Sequence, residues 1–247
     1  MRYFIQIQFK GTNFHGWQIQ PNATSVQQEL NKALSISFNQ SIDTMGCGRT
    51  DTGVHAKMFY AHFDLETVIE DIPNRIKSLN FLLPLDICVD NIISVADDAH
   101  ARFDATFRTY HYFINKSKNP FINQLSCKLH QQLNFYLMND AASLLLKHDD
   151  FSCFSKSNTQ VFTNNCSITN AKWIAINNDK NYFEITANRF LRNMVRAIVG
   201  TLIMVGEEKI TVQDFEEIIL SKDRKKAGKS AEACGLFLVD VSYPYLK

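Results

Sequence analysis

RYFIQIQF, residues 2–9, sets Tyr3, Ile5, Ile7 and Phe9 against Arg2, Gln6 and Gln8. A period of two is the mark of a half-buried strand. After a loop, KGTNFHGWQIQP, the spacing turns helical in TSVQQELNKALSISF (24–38), with Ser25 as N-cap and Gln28 completing a capping-box pattern. KMFYAHFDL (57–65) reads as a strand, PNRIKSLNFLL (73–83) as a helix opened by Pro73, and DICVDNIISVA (86–96) as a strand.

The theme recurs downstream. RTYHYFINK (108–116) is a strand, LNFYLMNDAASLLLKH (133–148) a helix, and SITNAKWIAI and NYFEITA are two strands. RFLRNMVRAIVGTLIMVG (189–206) reads as a helix and GLFLVDVSYP (235–244) as a closing strand. The repetition predicts an α+β protein of two ferredoxin-like, split β-α-β halves, residues 1–104 and 105–247. Such halves make a largely antiparallel sheet with helices on one face and a cleft on the other. No low-complexity linker separates them, so the junction near 104–108 reads as a continuous strand connection.

With 247 residues, 45% of them hydrophobic and 21% charged, the composition is that of a soluble globular chain with a sizeable core. The longest apolar stretch, AIVGTLIMVG (197–206), is half what a bilayer span requires and reads as a buried helix. MRYFIQIQFK alternates where a secretory signal would be continuously apolar, which points to the cytoplasm. Six cysteines (47, 88, 127, 153, 166, 234) form no C-x-x-C pair and seven histidines are dispersed, so neither a metal site nor a disulfide framework is expected. The net charge of +1 is uneven: Lys/Arg stand five against three Asp/Glu in 1–60, three against nine in 61–104, and eighteen against thirteen in 105–247. A phosphate-binding surface needs only a local basic face, so nucleic acid is permitted.

Chemistry concentrates in a few stretches. GCGRTDTGVHA (46–56) places Asp51 in Asp-Thr-Gly, the tripeptide of aspartic proteases. A protease carboxylate shares a proton with a twin, whereas the neighbouring Arg49 favours the ionised form. No second Asp-Thr-Gly exists in the chain, so a protease would need a homodimer to supply one. Gly46, Gly48 and Gly53 permit close approach of a ligand, and in an extended segment Arg49 and Asp51 would point to one side. A structural ion pair is the plainer alternative. FKGTNFHGWQIQP (9–21) adds a loop of aromatic and amide groups, informative only beside the other stretches.

In ARFDATFRTYHYFI (101–114), Arg108, Tyr110 and Tyr112 share one strand face, an arrangement that suits stacked bases and equally an amphipathic sheet. In RFLRNMVRAIVG (189–200), Arg189, Arg192 and Arg196 fall within roughly 60° of helical arc at 100° per residue. Leu191, Val195, Ile198 and Leu202 lie on another side, facing the core. The arginines have no acidic residue at i±3 or i±4, which points to an external anion, a phosphate or the Asp51 carboxylate. KDRKKAGK (222–229), with Lys225 and Lys226, is a further unpaired basic segment suited to phosphate.

Together these stretches resemble the bacterial tRNA pseudouridine synthase A family, the tRNA pseudouridine(38–40) synthases. Its motifs occur in order: G-T-x-F-x-G-W-Q-x-Q at 11–20, G-R-T-D-x-G-V-H-A at 48–56, A-R-F-x-A-x-x-R-x-Y-x-Y at 101–112, F-L-x-x-M-V-R at 190–196, and G-L-x-L-x-x-V-x-Y-P at 235–244. HDDFSCFSK (148–156) and CSITNAKW (166–173) resemble two further family segments, so the likeness spans essentially the whole chain. Gln28 stands where the family commonly has glycine and Glu232 where proline is common, which touches local loop geometry only.

The resemblance implies isomerisation of uridine to pseudouridine at positions 38, 39 and 40 of the tRNA anticodon arm, by a cytoplasmic homodimer with no cofactor and no metal. It implies that Asp51 is the catalyst, attacking C1′ or removing a ribose proton. It assigns Arg196 as its partner, Arg49 to the flipped nucleotide, Tyr110 to stacking on the uracil, and Leu236 to the pocket wall. Arg189, Arg192, Lys225 and Lys226 are the candidates for the RNA backbone. The alternatives are a non-catalytic RNA-binding relative and a synthase for another RNA.

Overall fold

The computed structural model describes residues 1–156 and 163–246. They form five α-helices and nine mostly antiparallel strands, an α+β architecture. The chain divides into two compact units, Met1–Thr106 with Phe237–Lys247, and Phe107–Leu236.

The first unit contains β1 (Arg2–Phe9), α1 (Val26–Phe38), β2 (Met45–Gly46), β3 (His55–Asp64), α2 (Ile72–Leu82) and β4 (Ile87–Val95). β1 lies between β4 and β3, antiparallel to both, and β2 pairs antiparallel with β3 at Met45↔His62. This is the split β-α-β order, with a helix joining strands that are not neighbours. The alternation of β1 is incomplete, because Phe4 is as buried as Tyr3, Ile5, Ile7 and Phe9. Its ring faces away from that row and meets Tyr243 edge-on at 5.1 Å. Ser25 caps α1 by accepting from Gln28 N at 3.3 Å, and Asp71 caps α2 by accepting from Asn74 N.

Phe237–Lys247 belong to this first unit, whereas the recurring pattern placed them in the second half. Most of the closing strand β9 (Leu236–Ser242) is thus part of it, running parallel to β3 with His55↔Phe237 and Ala56↔Leu238 in register. Tyr243 OH donates to Ala101 O, and Tyr245 OH donates to Asp104 at 2.7 Å. Buried aromatic surface and these hydroxyl bonds outweigh sequence proximity.

The second unit repeats the order with β5 (Phe107–Asn115), α3 (Phe135–Leu144), β7 (Ile168–Ala175) and β8 (Lys180–Ala187), arranged β5-β8-β7 and antiparallel. A two-residue β6 (Cys127–Lys128) joins β5 in parallel. α4 (Met194–Gly206) is apolar almost all round and buries Met194, Val195, Ala197, Ile198, Val199, Leu202 and Val205. α5 (Val212–Ser221) is an addition to the sequence expectation. Its Thr211/Asp214 capping box and its buried Phe215, Ile218 and Ile219 are the local cause.

Candidate active site

Asp51 sits in the first unit, in a turn between β2 and β3, and the loop that precedes α1 holds this turn through the main chain. Trp17 N donates to Thr50 O, and Gly53 N to Phe14 O, each at 3.3 Å. Val54 N closes the turn on Asp51 O at 3.2 Å. The holding loop is itself tied to the start of α1, where Val26 N donates to Gly16 O and Gln27 N to Trp17 O.

Two glycines are required for this fit. Gly16 has φ of +85°, and a Cβ there would collide with Thr50 O. Gly53 has φ of +79°. At Gly46 the missing side chain leaves room for Trp17, whose ring lies 4.3 Å from Phe59. His55 is fully buried; its Nδ1 accepts from Gly11 N at 3.0 Å and its ring stacks on Phe237 at 4.4 Å.

Asp51 is half-buried, whereas Arg49 is exposed. Residues 47–54 form no strand, with a bend at 47–48 and a turn at 52–53. Two hydroxyls of these loops, on Thr12 and Thr50, are buried without a hydrogen-bond partner among the described atoms.

Elsewhere in this unit, the segment 99–105 rests on two histidines. His62 Nδ1 accepts from Ala101 N at 3.1 Å, and His100 Nδ1 accepts from Arg102 N and Phe103 N. Burial, helped by the Arg2 charge, pushes the His62 imidazole down to about 4, so it stays neutral and accepts. Asp104 takes bonds from His100 N and Tyr245 OH, and these hold its carboxyl below the usual range.

In the second unit, Tyr110 is half-buried on β5, and its ring meets Phe190 edge-on at 5.1 Å. Arg108 Nη1 donates to Asn188 O at 2.8 Å. Tyr112 departs from the expected platform. It is 0% exposed and its hydroxyl donates to Glu232 O at 2.9 Å, so it is a core residue. Burial pushes its phenol far up. Leu236 is buried directly after the turn Ala233–Gly235.

The helix expected over 189–206 begins only at Met194. Asn193 has φ of +65°, which a right-handed helix does not accommodate, and its side chain donates to Ser230 Oγ at 2.6 Å. The carbonyl of Arg192, which a continuous helix would direct at Arg196 N, accepts from Lys156 N at 3.2 Å. Arg189 and Arg192 therefore lie outside the helix, and the three-arginine stripe does not form. Arg189 lies near Cys166, whose thiol burial pushes up to about 11 while the guanidinium opposes the shift.

Arg196, in the first turn of α4, is half-buried, and its Nε donates to Ala231 O at 2.7 Å. Within 222–229 the cations divide. Lys222 pairs with Asp150 at 2.8 Å and Arg224 turns inward, while Lys225, Lys226 and Lys229 are exposed. Phe190 against Tyr110 and the inward Arg224 escaped the sequence reading. The first was legible only as an unexplained aromatic inside F-L-x-x-M-V-R; the second was hidden among like charges.

Among the described residues no group of three or more His, Cys, Asp or Glu is placed to hold a metal ion, and no helix is long and apolar enough to cross a membrane. Residues 141–244, most of the second unit, match the family model described as tRNA pseudouridine synthase. Over nearly its whole length the chain is 50% identical to the tRNA pseudouridine synthase A of Parabacteroides distasonis, covering 98% of this chain and 96% of that protein. It is likewise 50% identical to that of Bacteroides thetaiotaomicron, with 98% and 91% covered, and 40% identical to that of Clostridium acetobutylicum, with 97% and 98% covered. The chain belongs to the tRNA pseudouridine synthase A family.

Proposed function

We propose that this protein isomerises uridine to pseudouridine at positions 38, 39 and 40 in the anticodon arm of tRNA, with Asp51 as the catalyst. The observation that carries the reading is the Asp51 turn, interlocked with the 11–20 loop through Thr50 O and Gly53 N, in a chain about half identical to relatives named for this activity. A turn held so closely by main-chain bonds presents a carboxylate with little freedom to reorganise, as a positioned catalyst requires.

In the reaction the N1–C1′ bond breaks, the uracil turns over, and C5 bonds to C1′; the C5 proton is lost and N1 gains one. Asp51 serves either by attacking C1′ or by removing a ribose proton, and both roles use the carboxylate form. The isomerisation is redox-neutral and balances without a cosubstrate, and we assign neither cofactor nor metal. Arg196 serves as the cation partner of Asp51 and Arg49 holds the flipped nucleotide. Tyr110 stacks on the uracil and Leu236 walls the pocket. Flipping a base costs a few kcal/mol, which stacking and phosphate contacts offset. Lys225 and Lys226, with Arg189 and Arg192 from the segment before α4, contact the RNA backbone. The protein acts in the cytoplasm as a homodimer.

The test is Asp51→Asn, which keeps the shape and removes the charge. It is expected to fold, to bind tRNA and to form no pseudouridine in an assay that maps the modified positions. Turnover by a clean Asp51→Asn preparation would exclude Asp51 as catalyst. Binding without turnover by the unmutated protein would favour a non-catalytic RNA-binding relative, against which the joint presence of Arg49, Asp51, Tyr110 and Arg196 argues.

A further inference from the structure

We propose that Arg224 is a positioning residue for Arg196, acting through the main chain of residues 227–231; the proposal rests on the assignment of Arg196 to the catalytic site. Arg224 stands in a run of cations, yet it is not presented outward like Lys225 and Lys226. Its Nη1 donates to Ala227 O at 3.3 Å and Gly228 O at 3.1 Å, and its Nη2 donates to Ser230 Oγ at 2.9 Å. A guanidinium that directs these N–H groups into its own chain serves the fold of that chain and not a phosphate.

The strap so closed lies along the first turns of α4. Ser230 Oγ also accepts from Asn193 Nδ2 at 2.6 Å, the residue that sets where α4 begins. Gly228 N donates to Thr201 Oγ1 at 3.0 Å, and a Cβ on Gly200 would fall on Lys229 O. The last link is reciprocal: Ala231 N donates to Arg196 O at 2.9 Å, and Arg196 Nε donates to Ala231 O at 2.7 Å. Fixing Nε fixes the plane in which the two terminal nitrogens of Arg196 lie. Arg224, by holding Gly228 and Ser230, determines where the Ala231 carbonyl stands. A long cationic side chain otherwise samples many rotamers, and holding it in one removes that freedom before the reaction.

The experiment is a double-mutant cycle on full-length protein, read as single-turnover rate at saturating enzyme and as the dissociation constant for tRNA. Arg224→Gln is expected to slow the bound reaction by roughly ten- to a hundredfold, with binding changed by about twofold or less. Arg196→Ala is expected to be at least as slow, and the double variant no slower than Arg196→Ala alone, because the two residues act in one chain. Arg224→Lys keeps the charge but cannot span Ala227, Gly228 and Ser230 together; it should give an intermediate rate, and it carries the cycle if Arg224→Gln does not fold. A normal rate with weakened binding would make Arg224 a phosphate contact and overturn the proposal. Slowing that multiplies with that of Arg196→Ala would also overturn it, since Arg224 would then act by another route. Failure of the underlying assignment is separately visible as an undiminished rate in Arg196→Ala.

Discussion

Asp51 stands in a turn whose position is set by the backbone of another loop, through the bonds of Thr50 O with Trp17 N and of Gly53 N with Phe14 O. Arg196 stands in a helix and is steadied by a bond from its own side chain. The first arrangement depends on backbone conformation and, at Gly16 and Gly53, on glycine. The second uses a side-chain bond to Ala231 O, in a strap that Arg224 closes through Gly228 and Ser230. Main-chain tethering thus leaves a dense local motif in the sequence, and side-chain tethering leaves scattered residues.

The sharpest way to break this comparison is to add a methyl group in the first region. Gly16→Ala forces an alanine into φ of +85° and drives its Cβ at Thr50 O, so a loss of about 2–4 kcal/mol is expected, with activity falling more steeply than folding. Gly48→Ala is the control, because nothing lies within 4 Å of a Cβ there, and it should stay within about 0.5 kcal/mol. Denaturant unfolding with a single-turnover assay measures both; equal effects at the two positions would remove the case for main-chain tethering.

Acid sharpens the comparison next, because the first unit carries a histidine whose folded form must be neutral. The imidazole of His62 titrates near 4 in the folded protein against an ordinary 6.5, so the unfolded chain takes the proton first. This contribution to stability is fully present above pH 6.5 and is lost as pH falls from 6.5 toward 4. Unfolding midpoints across that window should decline, and more gently in His62→Gln; an identical slope in the variant would dismiss His62 as the source.

The smallest effect belongs to the second unit's surface. Replacing Lys225 and Lys226 with alanine should weaken tRNA binding and flatten its salt dependence by roughly one unit of log–log slope for each phosphate left without its cation. The rate on bound tRNA should hardly change. An unaltered slope would leave this turn outside the RNA interface.

Much of the fold is legible from local signals. Period-two alternation marks β1, and Ser25 marks the start of α1, because these signals act within a few residues. α5 is equally local, announced by Thr211 and Asp214, but the basic run that follows it dominates the stretch and obscures it. The start of α4 is harder. Arg189 to Gly206 keeps helical spacing throughout, and only the bonds from Lys156 N and to Ser230 Oγ break it at Asn193. Tyr112 looks like a partner of Tyr110 in the sequence because strand alternation assigns a face and says nothing of which face is covered.

The sequence by itself determined the α+β class, the order of the main strands and of every helix but α5, and the glycine-framed turn around Asp51. Each rests on propensities and dihedral limits that operate over a few neighbouring residues. Only the tertiary structure decided that Phe237–Lys247 join the first unit, that Tyr112 is core, and that Arg224 folds inward while Lys225 does not. Those outcomes depend on which distant groups, such as Ala101 O, Glu232 O and Ser230 Oγ, are close enough to accept a bond, and chain folding alone brings them there.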